Sequence, residues 1–248
     1  MDAIITMESK KYLQDRGLLF WMIILPILFT VIFISVFTSG VSDDVKTEVI
    51  TSIIPGYAVM FVFFVMINMA ETLLNDKNSG MIARIASTPL SPYKYLLGKW
   101  FPNLFVVLIQ IVILFAFGKL VYDISFGQPF ALLLISIVLA VTVTGLGLAL
   151  ALLVNSNNMA VALTQVIALG GAVLGGLWMP IDMMPSFIQN FANFLPQFWA
   201  HQAYQSALVG ELEMIELAKS ISILLAFGLA GFFLALIRYP HFLKKARG

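Results

Sequence analysis

Six uncharged apolar runs, separated alternately by base-rich and base-poor gaps, leave this chain few folds to choose from. A helix needs about 20 apolar residues to cross about 30 Å of hydrocarbon. Uncharged windows at 17–42, 49–70, 100–118 and 220–237 hold the first, second, third and sixth of these spans. Residues 124–181 form a single charge-free window of 58 positions, too long for one helix. The polar cluster Asn155-Ser156-Asn157-Asn158 divides it with a tight turn. The expected fold is an all-α membrane protein with spans near 18–37, 54–73, 101–117, 130–154, 159–178 and 220–237.

The basic residues orient these spans. Of 14 Lys and Arg, eleven fall in alternate gaps: Lys10, Lys11 and Arg16; Lys77, Arg84, Lys94 and Lys99; and Arg238, Lys244, Lys245 and Arg247. The other gaps hold Lys46, Lys119 and Lys219 alone. Basic residues are retained on the cytoplasmic side, so both termini and the 71–100 segment are expected inside a plasma-membrane protein. Six spans return the chain to its starting side, in agreement. Acidic residues split 5 to 8 the other way and carry little topological weight.

The chain is 60% apolar and 11% charged, with mean hydropathy +0.97. Residues 1–248 read as one transmembrane domain without a second globular unit. The run from Leu18 to Phe37 exceeds a signal-peptide core and reads as an uncleaved span. With no cysteine, thiolate metal sites and thiol nucleophiles are excluded.

Three segments lie outside the spans. Residues 2–16 place Met1, Ile4, Ile5 and Tyr12 on one helical face, which Glu8 interrupts. A helix lying in the cytoplasmic interface is expected; the alternative is a frayed tail. After the second span, Gly80 suits a helix end, Met81 to Ser87 makes about two turns, and Thr88-Pro89 stops them. Ser91-Pro92 then starts the next helix, with a hydroxyl cap and Pro at the first position. Helix, short cross-piece and helix on the inner face form a shape able to pass force from a soluble partner. The bland alternative is a basic loop that only sets topology. Residues 183–210 carry no charge, yet Gln189, Asn190, Asn193, Gln197, Gln202 and Gln205 make them too polar to span. Phe187, Phe191, Phe194 and Phe198 recur at helical spacing, and Pro185 and Pro196 begin two short helices. A re-entrant or interfacial hairpin on the outer face is expected, against an external loop with aromatics in the headgroup belt.

Chemistry-bearing motifs are scarce. The histidines are His201 and His241, and neither a His-Glu-x-x-His nor a Gly-x-Ser-x-Gly pattern occurs. No enzyme, bound cofactor, metal site or nucleic-acid contact is expected. Polar residues within the runs are uncharged: Asn68, Asn103, Gln110, Thr142, Thr144, Thr164 and Gln165. They read as interhelical hydrogen bonds more readily than as a cargo path. No Asp, Glu, Lys or Arg is expected in the interior, which argues against an ion-driven carrier. Gly171-x3-Gly175, Gly145 and Gly147 permit close helix packing. Pro26 and Pro55 are expected to interrupt the first two spans.

The run Gly80…Arg84…Thr88-Pro89-Leu90-Ser91…Leu96-Leu97-Gly98-Lys99 resembles the permease subunit of type-2 ATP-binding-cassette (ABC-2) exporters. So does Gly170-Gly171…Gly175-Gly176-Leu177-Trp178-Met179-Pro180…Met184-Pro185…Pro196. The similarity covers almost the whole chain. It implies a dimer of permeases, homo- or heteromeric, each docked on an ATPase subunit and moving an amphiphilic cargo (drug, antibiotic or lipid-like) outward. It places Glu71 at the end of the second span, Gly80, Arg84, Thr88 and Pro89 where the ATPase contact and its transmission lie, and the hairpin over the outer end of the path. No Walker motif is present: Gly98-Lys99 precedes Trp100, and Gly118-Lys119 precedes Leu120. ATP is therefore expected to be hydrolysed by a separate chain. The other reading is an ion-coupled secondary carrier or membrane scaffold without an ATPase.

Overall fold

The computed structural model describes residues 2–14, 17, 20–88 and 91–247. Met1, Arg16, Leu18, Pro89 and Leu90, used above, lie outside the described residues. Regular structure among the described residues is entirely helical: α1 (Asp2–Gln14), a π-helical turn (Phe20–Ile24) leading into α2 (Leu25–Phe37), α3 (Asp43–Val62), α4 (Val65–Asn78) and α5 (Met81–Ala86). It continues as α6 (Pro92–Tyr122), α7 (Pro129–Leu153), α8 (Asn157–Leu174), a 3-10 turn (Ile181–Met183), α9 (Ser186–Ala192), α10 (Pro196–Val209) and α11 (Met214–Arg247).

Among the described residues, six stretches are long and apolar enough to cross a membrane: Phe20–Phe37, Val45–Asn78, Tyr93–Tyr122, Pro129–Leu153, Asn157–Leu174 and Met214–Lys244. The chain is a multi-pass membrane protein. Several helices outrun their apolar cores: α6 has 31 residues and α11 has 34, about 46 and 51 Å of rise. Hydrocarbon thickness limits only the apolar part of a helix, and the polar flanks extend it.

Local chemistry sets most boundaries. Ser156 accepts a hydrogen bond from the Met159 amide at 3.2 Å and starts α8 at the expected turn. Gly80 adopts φ +71° between α4 and α5, a conformation that costs glycine little. Ser91 precedes α6 without a side-chain cap bond, contrary to expectation; Pro92 starts the helix through its fixed φ. The helix α8 ends at Leu174, short of the expected 178, before the adjacent Gly175 and Gly176. Pro55 lies inside α3 without ending it. The second span breaks eight residues later, where Phe63, Phe64, Met66 and Ile67 amides bond three residues back.

The helix α7 runs through the middle of the bundle, flanked by α4, α6, α10 and α11. Glycines set its distance to α11. A Cβ on Gly145 would stand 2.5 Å from the Gly228 carbonyl oxygen, and one on Gly231 would stand 2.7 Å from the Gly145 oxygen. Thr142 donates across the same crossing to the Leu224 carbonyl at 2.8 Å. Small residues let the two backbones touch, which supplies the van der Waals contact that hydrocarbon solvent does not drive.

Gly145→Ala is expected to cost about 1–3 kcal/mol, because backbone rather than a flexible side chain blocks the new methyl group. Gly170→Ala, which meets nothing within 4 Å, is the control and is expected to be neutral. Thermal unfolding of both proteins in detergent checks the difference.

Candidate functional site

The short helix α5 lies between α4 and α6. Ile82 is buried and Ile85 packs against the core, anchoring α5 beside α4 and α11. Arg84 points outward, and among the described residues it makes no ion pair. Thr88 is exposed and donates to the Ile85 carbonyl at 2.7 Å, closing the last turn. Glu71 stands further along the preceding helix. It lies nine residues before Gly80 on the continuous α4, about 13 Å along the axis.

The interior is charged, contrary to the expectation drawn from the sequence. Lys99 on α6 bridges Glu8 of α1 at 2.7 Å and Asp76 of α4 at 2.6 Å, and all three side chains are buried. Tyr95 donates to Asp76 at 2.6 Å, and the half-exposed Lys11 pairs with Glu8 at 3.0 Å. One turn along, Tyr12 donates to Asn103, Asn68 donates to Tyr12, and Asn103 donates to the Lys99 carbonyl at 2.7 Å. Burial, aided by the Glu8 carboxylate, pushes the Tyr12 phenol well above its ordinary range, against the lowering effect of its Asn68 bond. Ile4 lies over Gly98, where a Cβ would stand 2.9 Å from its side chain. Ile4, Glu8 and Tyr12 thus form one stripe of α1, matched by Tyr95, Lys99 and Asn103 four residues apart on α6. Glu8, which looked like a flaw in an apolar face, is the centre of a buried one. The four-residue spacing was the available signal.

Beside this network lies a cavity of about 1020 Å³. Its walls come from α1, the start of α2, the α3–α4 junction and α8. Trp21, Met22, Leu25, Phe61, Phe64 and Val65 form its apolar part; Asn68, Glu71, Thr72, Asn75 and Gln165 form its polar part. The tightened turns at Phe63–Ile67 therefore border the cavity.

Other polar residues within the spans divide between two uses. Thr142 bonds across helices as above, and Thr144 accepts from Trp100 at 2.8 Å. Gln110 is buried with its Oε1 unpartnered, as is the Thr164 hydroxyl.

The segment after the fifth span forms two helices, but they differ in use. Phe187, Phe191 and Phe194 are exposed on and beside α9, as are Pro180 and Pro185. Pro196 is buried at the first turn of α10, which packs against α3, α7, α8 and α11. Its polar residues bond to those helices: Gln197 to the Ile167 carbonyl at 3.0 Å, Tyr204 to Ser136 at 2.9 Å, and Gln205 to the Ser52 hydroxyl at 2.8 Å. His201 is buried against the Ser52 carbonyl at 3.1 Å and serves packing.

Comparison with known proteins gives the same picture. Residues 47–237 match the family described as ABC-2 family transporter protein. Over 172 residues, 69% of this chain and 45% of the other, the sequence is 26% identical to the linearmycin resistance permease protein LnrN of Bacillus subtilis (strain 168). A protein of the same organism named as a transport permease, YvfS, is 26% identical over 197 residues, 77% of this chain and 78% of that one. The matched part of LnrN is thus under half its length. The family match begins after α1, so Glu8 falls outside it.

Lys99→Met is expected to destabilise the protein by about 3 kcal/mol, because it leaves two buried carboxylates facing each other. Combining it with Glu8→Gln and Asp76→Asn is expected to restore most of the loss. Unfolding midpoints of the single and triple variants in detergent test this, and equal midpoints for wild type and Lys99→Met would contradict it.

Proposed function

The chain belongs to the ABC-2 family of transporter proteins, and on that premise we propose that it is the permease of an ATP-driven exporter moving an amphiphilic cargo outward. The observation that carries this reading is the cavity of about 1020 Å³, apolar at one end and polar at the other, walled by the same helix that leads to the cross-piece. A soluble compound would not need the apolar half, and a pure hydrocarbon would not need the polar one. LnrN is named for linearmycin resistance, which supports a toxic compound as cargo.

ATP is bound and hydrolysed by a separate ATP-binding-cassette subunit, since this chain has no phosphate-binding loop. That subunit docks on α5 and the turn after it, through Gly80, Arg84, Thr88 and Pro89. The helix α4 is the lever. Pressure on α5 reaches α4 through Gly80, and α4 can pivot at the tightened turns near Phe63, where it walls the cavity. Glu71 belongs to the cargo path on this reading. The Glu8–Lys99–Asp76 network removes the argument that absent buried charge speaks against an ion-driven carrier, and family membership takes over that discrimination. A second permease chain covers the apolar outer face of α8, where Met159, Leu163, Val166 and Val173 are exposed. The α9–α10 hairpin enters the bilayer from outside, and both termini are cytoplasmic in the plasma membrane.

Arg84→Glu is expected to abolish ATP-dependent efflux into inverted vesicles holding the ATPase partner, while membrane insertion is retained. Unchanged efflux would overturn the docking assignment. The cysteine-free sequence also allows a direct topology test. An impermeant maleimide is expected to label Asn190→Cys in intact cells and Ser79→Cys only in inverted vesicles. The opposite pattern would reverse the orientation.

A further inference from the structure

One charge in the cavity wall, that of Glu71, has no partner among the described residues. Among the charged side chains lining the cavity, Glu8 and Lys11 pair at 3.0 Å, and Glu8 pairs again with Lys99 at 2.7 Å. Glu71 is exposed on the cavity face of α4, and among the described residues it makes no hydrogen bond or ion pair. Among the described residues, the uncompensated charge of the wall is therefore negative. Its position on the helix is ordered as well. Residues three and four apart share a helix face, so Phe61, Phe64, Asn68, Glu71 and Asn75 follow one another along the wall. The face changes from aromatic at Phe61 and Phe64 to polar from Asn68 onward. Ten residues separate Phe61 from Glu71, about 15 Å of helix.

We infer that the cavity selects cationic amphiphiles, with the cation held at Glu71 and the apolar body against Phe61, Phe64 and Trp21. This rests on reading the cavity as the cargo site. The wall matches a molecule about 15 Å long with its charge at one end. A carboxylate facing a cavity partly screened from bulk water attracts a cation more strongly than the same group in water. Aromatic faces favour cations as well and tolerate varied apolar shapes. An anionic amphiphile meets the opposite field, because Lys11 is already neutralised by Glu8. The cationic group could belong to a free compound or to the ammonium head of a membrane lipid; the chemistry at Glu71 is the same.

Tetraphenylphosphonium and tetraphenylborate share one apolar shape and differ in the sign of charge, so the full chain purified in maltoside micelles can be titrated with each. Saturable phosphonium binding is expected, weakened about tenfold by Glu71→Gln, retained by Glu71→Asp, and exceeded by borate binding in Glu71→Lys. Monodisperse elution of the Gln variant controls for folding. Equal binding of both probes to the wild type, or unchanged phosphonium binding in Glu71→Gln, overturns the inference. Displacement of the probe by phosphatidylethanolamine but not by phosphatidylglycerol assigns the site to a lipid head, and no displacement by either assigns it to a free compound; both outcomes uphold the cation site. Failure here is separable from failure of the exporter reading. ATP-driven efflux of neutral amphiphiles without cation preference sinks only this inference. Glu71-dependent cation binding with no ATP-driven transport beside the ATPase sinks only the other.

Discussion

A polar group surrounded by hydrocarbon costs several kcal/mol unless the protein supplies its partner, and this bundle is arranged around where those partners are found. The backbone meets the requirement because all regular structure among the described residues is helical. The side chains meet it by pairing across helices. Lys99 joins α1 and α4 to α6 through two carboxylates, and the Tyr12, Asn103 and Asn68 layer repeats the connection one turn on. Such a network adds little stability over a well-packed apolar replacement. Its effect is on register: α1 can satisfy Glu8 and Tyr12 and seat Ile4 on Gly98 in one alignment only.

The same requirement explains α10. Its glutamines and histidine would be costly on a lipid-facing span, yet each of Gln197, His201 and Gln205 reaches a group on α3 or α8. Other polar groups line the cavity: Asn75, Glu71 and Gln165 face open space beside aromatic rings.

These features meet on α4. One end carries the tightened turns and the aromatic wall; the other carries Asp76, held by Lys99, and then Gly80 and the cross-piece. On the proposed reading, force entering at α5 passes first through the most strongly tied part of the helix and reaches its least regular part beside the cavity. A rigid lever with a local pivot transmits motion better than a uniformly flexible one. The long-range pairing of α7 with α11 through glycine contacts provides the fixed frame against which such a lever can move.

The spans, their orientation bias, the turn at Asn155–Asn158, the left-handed Gly80 and the proline-started α10 were all legible in the sequence, because each is set by neighbours along the chain. Apolar length, a capping side chain and a φ that only glycine adopts freely act locally. The resemblance to ABC-2 permeases was legible too, in glycine and proline spacing. What the tertiary structure alone decided was the interior. Glu8 and Lys99 stand 91 residues apart, and a lysine at the end of an apolar run reads the same whether it reaches for water or for a buried carboxylate. That Glu71 lines a cavity was likewise decided by packing, because a position on a helix does not say which face has a neighbour. Local chemistry determined which segments become helices; the choice of which polar groups meet depended on packing among segments far apart in sequence.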